Sequence, residues 1–293
     1  MFKVYFVGAG TPTPTALRFG TCYVVQVGEK YLMFDCGPAA THKLVKMGLF
    51  PTQIEHLFFS HHHFDHNADY PCFLLCRWDQ NTDKAAKLKV WGPPPTEWIT
   101  QRLIGPDGAF SHDWKARVEH PGSQDIFVSR GGKLPRPIPQ VEVKELGHND
   151  IIDLDSISLR TAKVQHIEPW MTTLAYRLET AYGSLVISSD TGVCDSIIDL
   201  ARGADHLIMH CWDLQERMKP AESMMITGTR DAARIAREAG VKRLILSHTG
   251  PLLDQTSFTE AALSEIASLY QGEVFFSKEL TTLDLAQPQP EKD

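Results

Sequence analysis

Ser60-His61-His62-His63-Phe64-Asp65-His66 gathers four histidines and one carboxylate into seven residues. Neutral imidazole nitrogens and carboxylate oxygens are the donors a borderline cation such as Zn2+ takes, and few other tasks need so many in one turn. The run directly follows Leu57-Phe58-Phe59, an apolar stretch that reads as a buried strand. A strand ending in His-x-His-x-Asp-His therefore delivers its donors together. The competing reading is a histidine-rich surface loop, and the rest of the chain argues against it by supplying donors in similar places.

Those places are the ends of later strand patterns. Ser158–Gln165 ends in His166, Ser184–Ser189 ends in Asp190, and Leu244–Ser247 ends in His248. Donors on strand ends are held rigidly, while neighbouring loops stay free to shape a pocket. One histidine after a strand is ordinarily structural; four such ends, all carrying His or Asp, point to a metal site.

The elements that must position these residues alternate. Lys3–Val7, Tyr23–Val27 and Tyr31–Phe34 read as strands, the last two as a hairpin. A helix is expected over Ala39–Met47, a strand over Leu88–Trp91, and a helix capped by Thr96 through about Leu103. Strand patterns resume at Val141–Glu145, Ser158–Val164, Thr173–Glu179, Ser184–Ser188 and Arg243–Leu246. Helices fit Asp195–Ala201, Arg230–Ala239 and Thr259–Tyr270. Residues 104–139, rich in Gly, Pro and charge, read as an inserted arm, and 287–293 as a disordered tail. Gly8-Ala9-Gly10 is followed by two prolines rather than a helix start, which excludes a dinucleotide loop.

With 293 residues, 43% hydrophobic and 22% charged, the chain can bury a substantial α/β core. A formal charge of −7 argues against a general nucleic-acid binder. No apolar run approaches the ~20 residues that span a bilayer, and the start reads as a strand rather than a signal peptide, so a cytoplasmic protein without membrane contact is expected. Six scattered cysteines read as reduced, small hydrophobes; Cys72 and Cys76 would share a helix face.

These residues resemble the metallo-β-lactamase superfamily, most strongly its tRNase Z and arylsulfatase-like branch. The resemblance rests on Gly8-Ala9-Gly10-Thr11-Pro12, Phe34-Asp35-Cys36-Gly37, His61-x-His63-x-Asp65-His66, Trp91-Gly92-Pro93, Ala175-Tyr176-Arg177, Ser189-Asp190-Thr191, Ala239–Leu244 and Leu246-Ser247-His248. It implies an α/β fold, an αββα sandwich of two mixed sheets flanked by helices, as one domain over 1–286. It also implies two divalent metal ions, Zn2+ foremost with Mn2+ or Fe as alternatives. His61, His63 and His166 would hold the first, Asp65, His66 and His248 the second, and Asp190 would bridge them. Asp65 would additionally orient the attacking hydroxide, Asp35 would orient a ligand imidazole from behind, and His62 would point away. His148 is the fallback for His166. The branch further implies a homodimer.

The departures from the branch bear on substrate. In tRNase Z the Glu of a His-Glu pair works with a later His to protonate the leaving group; here Cys211 stands at the Glu and Ile226 at the later His. The expected substrate is thus a small, aromatic molecule whose leaving group needs little protonation: an aryl ester, sulfate or phosphate ester, lactone or aryl halide. Phe64, Trp170, His210, Cys211 and Trp212 would line its pocket. Phe110, His112 and Trp114 on the arm would cover it or pack at a dimer interface. RNA is a less favoured substrate because the arm's basic residues are offset by acidic ones. A tRNase Z-like endonuclease and a non-catalytic metal-containing binding protein are the alternatives.

Overall fold

The computed structural model describes residues 1–82 and 85–286; the tail expected at 287–293 lies outside them. Two seven-stranded sheets face each other. The first contains β1 (Phe2–Ala9), β2 (Thr21–Val27), β3 (Lys30–Phe34), β4 (His56–Phe58), β5 (Leu88–Gly92) and β6 (Val141–Glu145). The second contains β7 (Ile151–Leu154), β8 (Ile157–Val164), β9 (Thr173–Thr180), β10 (Gly183–Ile187), β11 (His206–Cys211), β12 (Arg243–Thr249) and β13 (Glu273–Phe276). The last strand, β14 (Thr281–Asp284), returns to pair antiparallel with β1 and closes the edge of the first sheet. Both sheets are mixed: β3 to β6 and β10 to β13 run parallel, and the remaining pairs antiparallel.

Helices cover both outer faces. On the first sheet lie α1 (Ala40–Lys46), the single turn α2 (Phe64–Asn67), α3 (Tyr70–Gln80) and α4 (Thr96–Ile104). The arm adds α5 (Ser111–Glu119) and α6 (Pro121–Ser129). Over the second sheet come α7 (Asp195–Ala201), α9 (Thr229–Ala239) and α10 (Thr256–Ala267), with the short, unburied α8 (Pro220–Ser223) ahead of α9 in the chain.

Strand alternation divides the apolar residues among three layers. Between the sheets, Phe2, Phe6, Phe34, Phe58, Tyr176, Ile208 and Ile245 interleave. Met33, Leu57 and Phe59 point outward to Leu44, Tyr70 and Phe73. Leu207, Met209, Leu244 and Leu246 meet the alanine face of α9 (Ala232, Ala233, Ala236, Ala239). Small residues there let the helix lie close to the sheet, and Gly240, at φ 66°, ends it in the left-handed conformation.

Two expectations need correction here. Thr96 is the first helical residue of α4, not its cap; its hydroxyl donates instead to the Pro93 carbonyl at 2.6 Å. Residues 104–139 carry α5 and α6 and are docked: Arg117, Arg130 and Arg136 all reach the Asp79 carboxylate at the end of α3, at 3.3, 2.9 and 2.8 Å. Trp114 is buried and neither covers a pocket nor offers an exposed surface. Among the described residues no helix is long and apolar enough to cross a membrane.

Candidate metal centre

One edge of the sandwich collects the strand ends. Asp35 follows β3, Ser60 and His61 follow β4, Asp65 and His66 ride on α2, His166 follows β8, Asp190 follows β10, and His248 sits near the end of β12. Asp35, Ser189 and His248 have φ of 59°, 58° and 49°. Such left-handed backbone is uncommon outside glycine, and it gathers at functional sites where the surroundings enforce it. Gly37 lets the α2 turn pack down: a Cβ there would collide with the Asp65 carbonyl.

The side chains converge in two sets that share Asp190. In the outer set, His61 Nε2 is 3.0 Å from His63 Nδ1, His166 Nε2 is 3.3 Å from that same Nδ1, and Asp190 Oδ2 is 3.9 Å from His166 Nε2. In the inner set, His66 Nε2 and His248 Nε2 are 3.0 Å apart, and Asp65 Oδ2 lies 3.7 and 3.3 Å from them. Asp190 Oδ1 lies 3.6 Å from His66 Nε2 and 3.4 Å from His248 Nε2, so its two oxygens face different sets. Tetrahedral donors around a cation bound at about 2.0–2.2 Å sit about 3.3–3.6 Å apart, which is the spacing these atoms approach.

Outer contacts fix the rings. Asp35 Oδ2 accepts from His66 Nδ1 at 2.8 Å, and the Asp35 carboxylate is itself held by the Ser60 N–H at 2.7 Å and the Ser60 hydroxyl at 2.8 Å. His166 Nδ1 lies 2.8 Å from the Met225 carbonyl, which makes that nitrogen the donor and turns Nε2 towards the cluster. His62 does point away: its Nε2 is 2.8 Å from Thr96 Oγ1, its Nδ1 faces the Asn67 amide at 3.2 Å, and its ring packs on Phe59. His148 is not part of the cluster; its Nδ1 accepts from the Lys163 N–H at 3.1 Å.

Electrostatics suit the donors to a cation. Burial pushes His61 well below the ordinary imidazole range, with His66 beside it adding to the effect. Burial alone would raise the Asp190 carboxyl, but His248, His210 and His66 outweigh it and hold the group well below the usual carboxylate range. Burial would likewise raise Asp65, and the His248 and His66 imidazoles beside it reverse the sign. Asp65 Oδ2, Asp190 Oδ1 and His248 Nδ1 are buried with no hydrogen-bond partner. Buried polar atoms left unpaired are costly, and a divalent cation of the kind these nitrogens and oxygens prefer satisfies the two oxygens.

A sheet edge that presents two histidine and aspartate sets through one shared carboxylate defines a metal-dependent hydrolase. A model of the β-lactamase superfamily domain matches residues 30–249. The chain belongs to the metallo-β-lactamase superfamily, in its tRNase Z branch. It is 31% identical over 260 residues to the Ribonuclease Z of Mycolicibacterium gilvum, covering 86% of each chain. The metallo-β-lactamase fold protein YhfI from Bacillus subtilis shares its fold with TM-score 0.74 at 20% identity, over 96% of this chain and 98% of that one. The short form of human tRNase Z superposes with TM-score 0.68 at 18% identity, over 97% and 100%.

The residues expected to line a pocket divide. Trp170 is 85% exposed and Phe64 is 55% exposed, both beside the outer set. Trp212 packs on Gly250, two residues past His248, and is half-buried. Cys211 is misplaced by the sequence reading: adjacent strand residues face opposite ways, so while His210 turns towards Asp190, Cys211 enters the core beneath α9. Burial raises its thiol to a pKa well above the ordinary range. Sequence reasoning missed Met224 and Met225, which with Ile167, His166 and Trp170 wall a groove of about 840 Å³. Their only sequence signal is a methionine pair just ahead of Ile226.

Proposed function

We propose that this chain hydrolyses small aryl phosphodiesters and related activated esters, with Zn2+ foremost at its two donor sets. His61, His63, His166 and Asp190 would hold one ion, and Asp65, His66, His248 and Asp190 the other; Mn2+ or Fe suits the same donors. Bound there, the ions supply Lewis acidity and acidify water at neutral pH.

The observation that carries the substrate class is the groove at His166, where Trp170, Ile167, Met224 and Met225 form an apolar part beside the polar Lys163, Gln165 and Glu168. A flat apolar ring fits between an indole and two thioethers, and the groove's size suits a small ligand. Asp35 and the Met225 carbonyl orient His66 and His166, so the donor sets are preorganised rather than assembled on binding. Asp65, buried on the α2 turn and held as a carboxylate, would ligate the inner ion and orient the attacking hydroxide. Cys211 points into the core and Ile226 carries no proton, so a leaving group here departs without the acid pair of the branch.

The names of the relatives favour a second reading, RNA 3′-end processing. The arm tells against it, because Arg117, Arg130 and Arg136 are turned onto Asp79 instead of forming an open basic stripe. Its exposed Ile126, Val128 and Leu134 favour a homodimer through the arm, checked by sedimentation of the intact chain. The deciding experiment sets bis(p-nitrophenyl) phosphate beside a 3′-extended tRNA precursor at low salt, each with a chelated control. Metal-dependent release of nitrophenol with the precursor left intact supports the aryl reading. Precursor cleavage at the 3′ extension with no nitrophenol release replaces it with the RNA reading.

A further inference from the structure

Among the described residues, His210 is an imidazole that faces the metal centre and that the seven expected ligands leave unused. It is the penultimate residue of β11, its side chain is 2% exposed, and neither Nδ1 nor Nε2 has a hydrogen-bond partner. Its backbone is fixed on both sides: its N–H donates to the Ser188 hydroxyl at 3.2 Å, and its carbonyl accepts from the Thr227 hydroxyl at 2.5 Å.

The ring faces the inner donor set. Its Nδ1 is 3.6 Å from Asp190 Oδ1, the same separation that His66 Nε2 keeps from that oxygen. Its centroid is 4.7 Å from that of His248. Asp190, His210 and His248 offer donor atoms that all lie within 4.8 Å of one another. A small buried cavity of about 10 Å³ lies among Tyr23, His66, Asp190, His210 and His248, too tight for more than a single small occupant. Two orphaned ring nitrogens at so polar a point mark a missing partner rather than a packing residue.

We propose that His210 is an eighth metal-ligating side chain, giving the inner ion a fifth protein donor beside Asp65, His66, Asp190 and His248. This rests on the seven-residue assignment and adds an asymmetry to it. Asp190, His210 and His248 form one close group and Asp65, His66 and His248 another, so an inner ion shared between them would be more closed than the outer one, whose His166 opens onto the groove. Closed sites hold and open sites exchange, so substrate would reach the outer ion. Five nitrogen and oxygen donors also move the inner site away from tetrahedral Zn2+ towards metals of higher coordination number, such as Mn2+ or Fe.

The test uses the full chain loaded with Co2+, whose visible absorption is intense when four-coordinate and weak at five or six. The wild type is expected to show at least one weakly absorbing ion, the inner one. His210→Phe, which keeps the volume but offers no donor, is expected to intensify the weak signature and loosen one ion by about 10–100-fold in competition with a chelator. His210→Ala serves as the second variant, with added imidazole expected to restore the wild-type spectrum. Thermal unfolding of the metal-free proteins checks that both variants fold. Two intense tetrahedral signatures in the wild type overturn the proposal with no variant needed, as do unchanged spectra and affinities in folded His210→Phe. Failure of the wild type to bind any metal is a different result, which removes the metal centre itself.

Discussion

Asp35 Oδ2 accepts a hydrogen bond from His66 Nδ1 at 2.8 Å, and the pair is buried with side-chain exposures of 4% and 1%. A carboxylate behind a ligating imidazole selects the tautomer, fixes the ring plane and raises donor strength. Asp35 reaches this position from a left-handed backbone, φ 59°, at the end of β3. Asp35→Asn keeps the shape but loses the charge. It is expected to weaken metal binding by about 10–100-fold while leaving the unfolding midpoint of the metal-free protein within a few degrees. Chelator competition with calorimetry checks this; unchanged affinity shows that Asp35 is a passive support of Ser60.

The arm's docking gives a second prediction. Asp79 is 17% exposed and receives three arginines, of which Arg136 is 4% exposed and also stacks on Trp78 and Phe127. Burial would raise the Asp79 carboxyl, but hydrogen bonds from Arg136 and Arg130 hold it below the usual value. Asp79→Ala leaves a buried guanidinium without its counter-charge and is expected to cost about 2–4 kcal/mol, somewhat under a fully buried pair. Denaturant unfolding measures it. Because no arm residue belongs to the donor sets, kcat on an aryl diester should hold; a collapse of kcat would tie the arm to catalysis.

What was legible in the chain follows from how locally each feature is encoded. His61, His63, Asp65 and His66 sit within one turn, so spacing alone brings them together. His166, Asp190 and His248 could be found because each ends a clear strand pattern and the family order supports them. The inward turn of His210 and the outward turn of Cys211 are one fact about strand alternation, and reading them as neighbours in one pocket overlooked it. β13 and β14 were not visible: each is four residues long and owes its place to a distant partner, β14 pairing with β1 across nearly the whole chain. In the arm, α5 and α6 bury few large side chains, chiefly Trp114 and Phe127, which is too little periodicity to announce a helix.

A third prediction concerns acid. His56 stacks on Phe58 and Trp91, and its Nδ1 accepts from the Trp91 indole N–H at 3.2 Å. Burial, helped by Lys89 and Lys30, pushes its pKa down to about 4. The unfolded chain takes up this proton near pH 6.5 while the folded chain resists it, so stability contributed by neutral His56 is complete above about pH 6.5. It drains away as the pH falls towards 4 and is flat below that. His56→Gln, whose amide oxygen can still accept from Trp91, is expected to unfold with a shallower pH slope between 6.5 and 4. Parallel slopes for the two proteins over that window would place the acid sensitivity elsewhere.

The groove's aromatic wall can be separated from the metal chemistry. Trp170 is 85% exposed, so removing it uncovers no core and the folded state should not notice. Its value must come from binding, because an indole standing in solvent beside His166 gains only when a ring covers it. Trp170→Ala is expected to raise KM for bis(p-nitrophenyl) phosphate by about tenfold, which corresponds to about 1.4 kcal/mol of lost contact, with kcat little changed. The same variant acting on methyl p-nitrophenyl phosphate, which keeps the leaving group but has a single ring, discriminates further. If Trp170 holds the ring that stays behind, the mutation matters less for the methyl ester. If it holds the departing nitrophenol, both substrates suffer equally. Equal kinetics of wild type and variant on both esters would remove Trp170 from the binding surface, and with it the argument that this groove selects aromatic substrates.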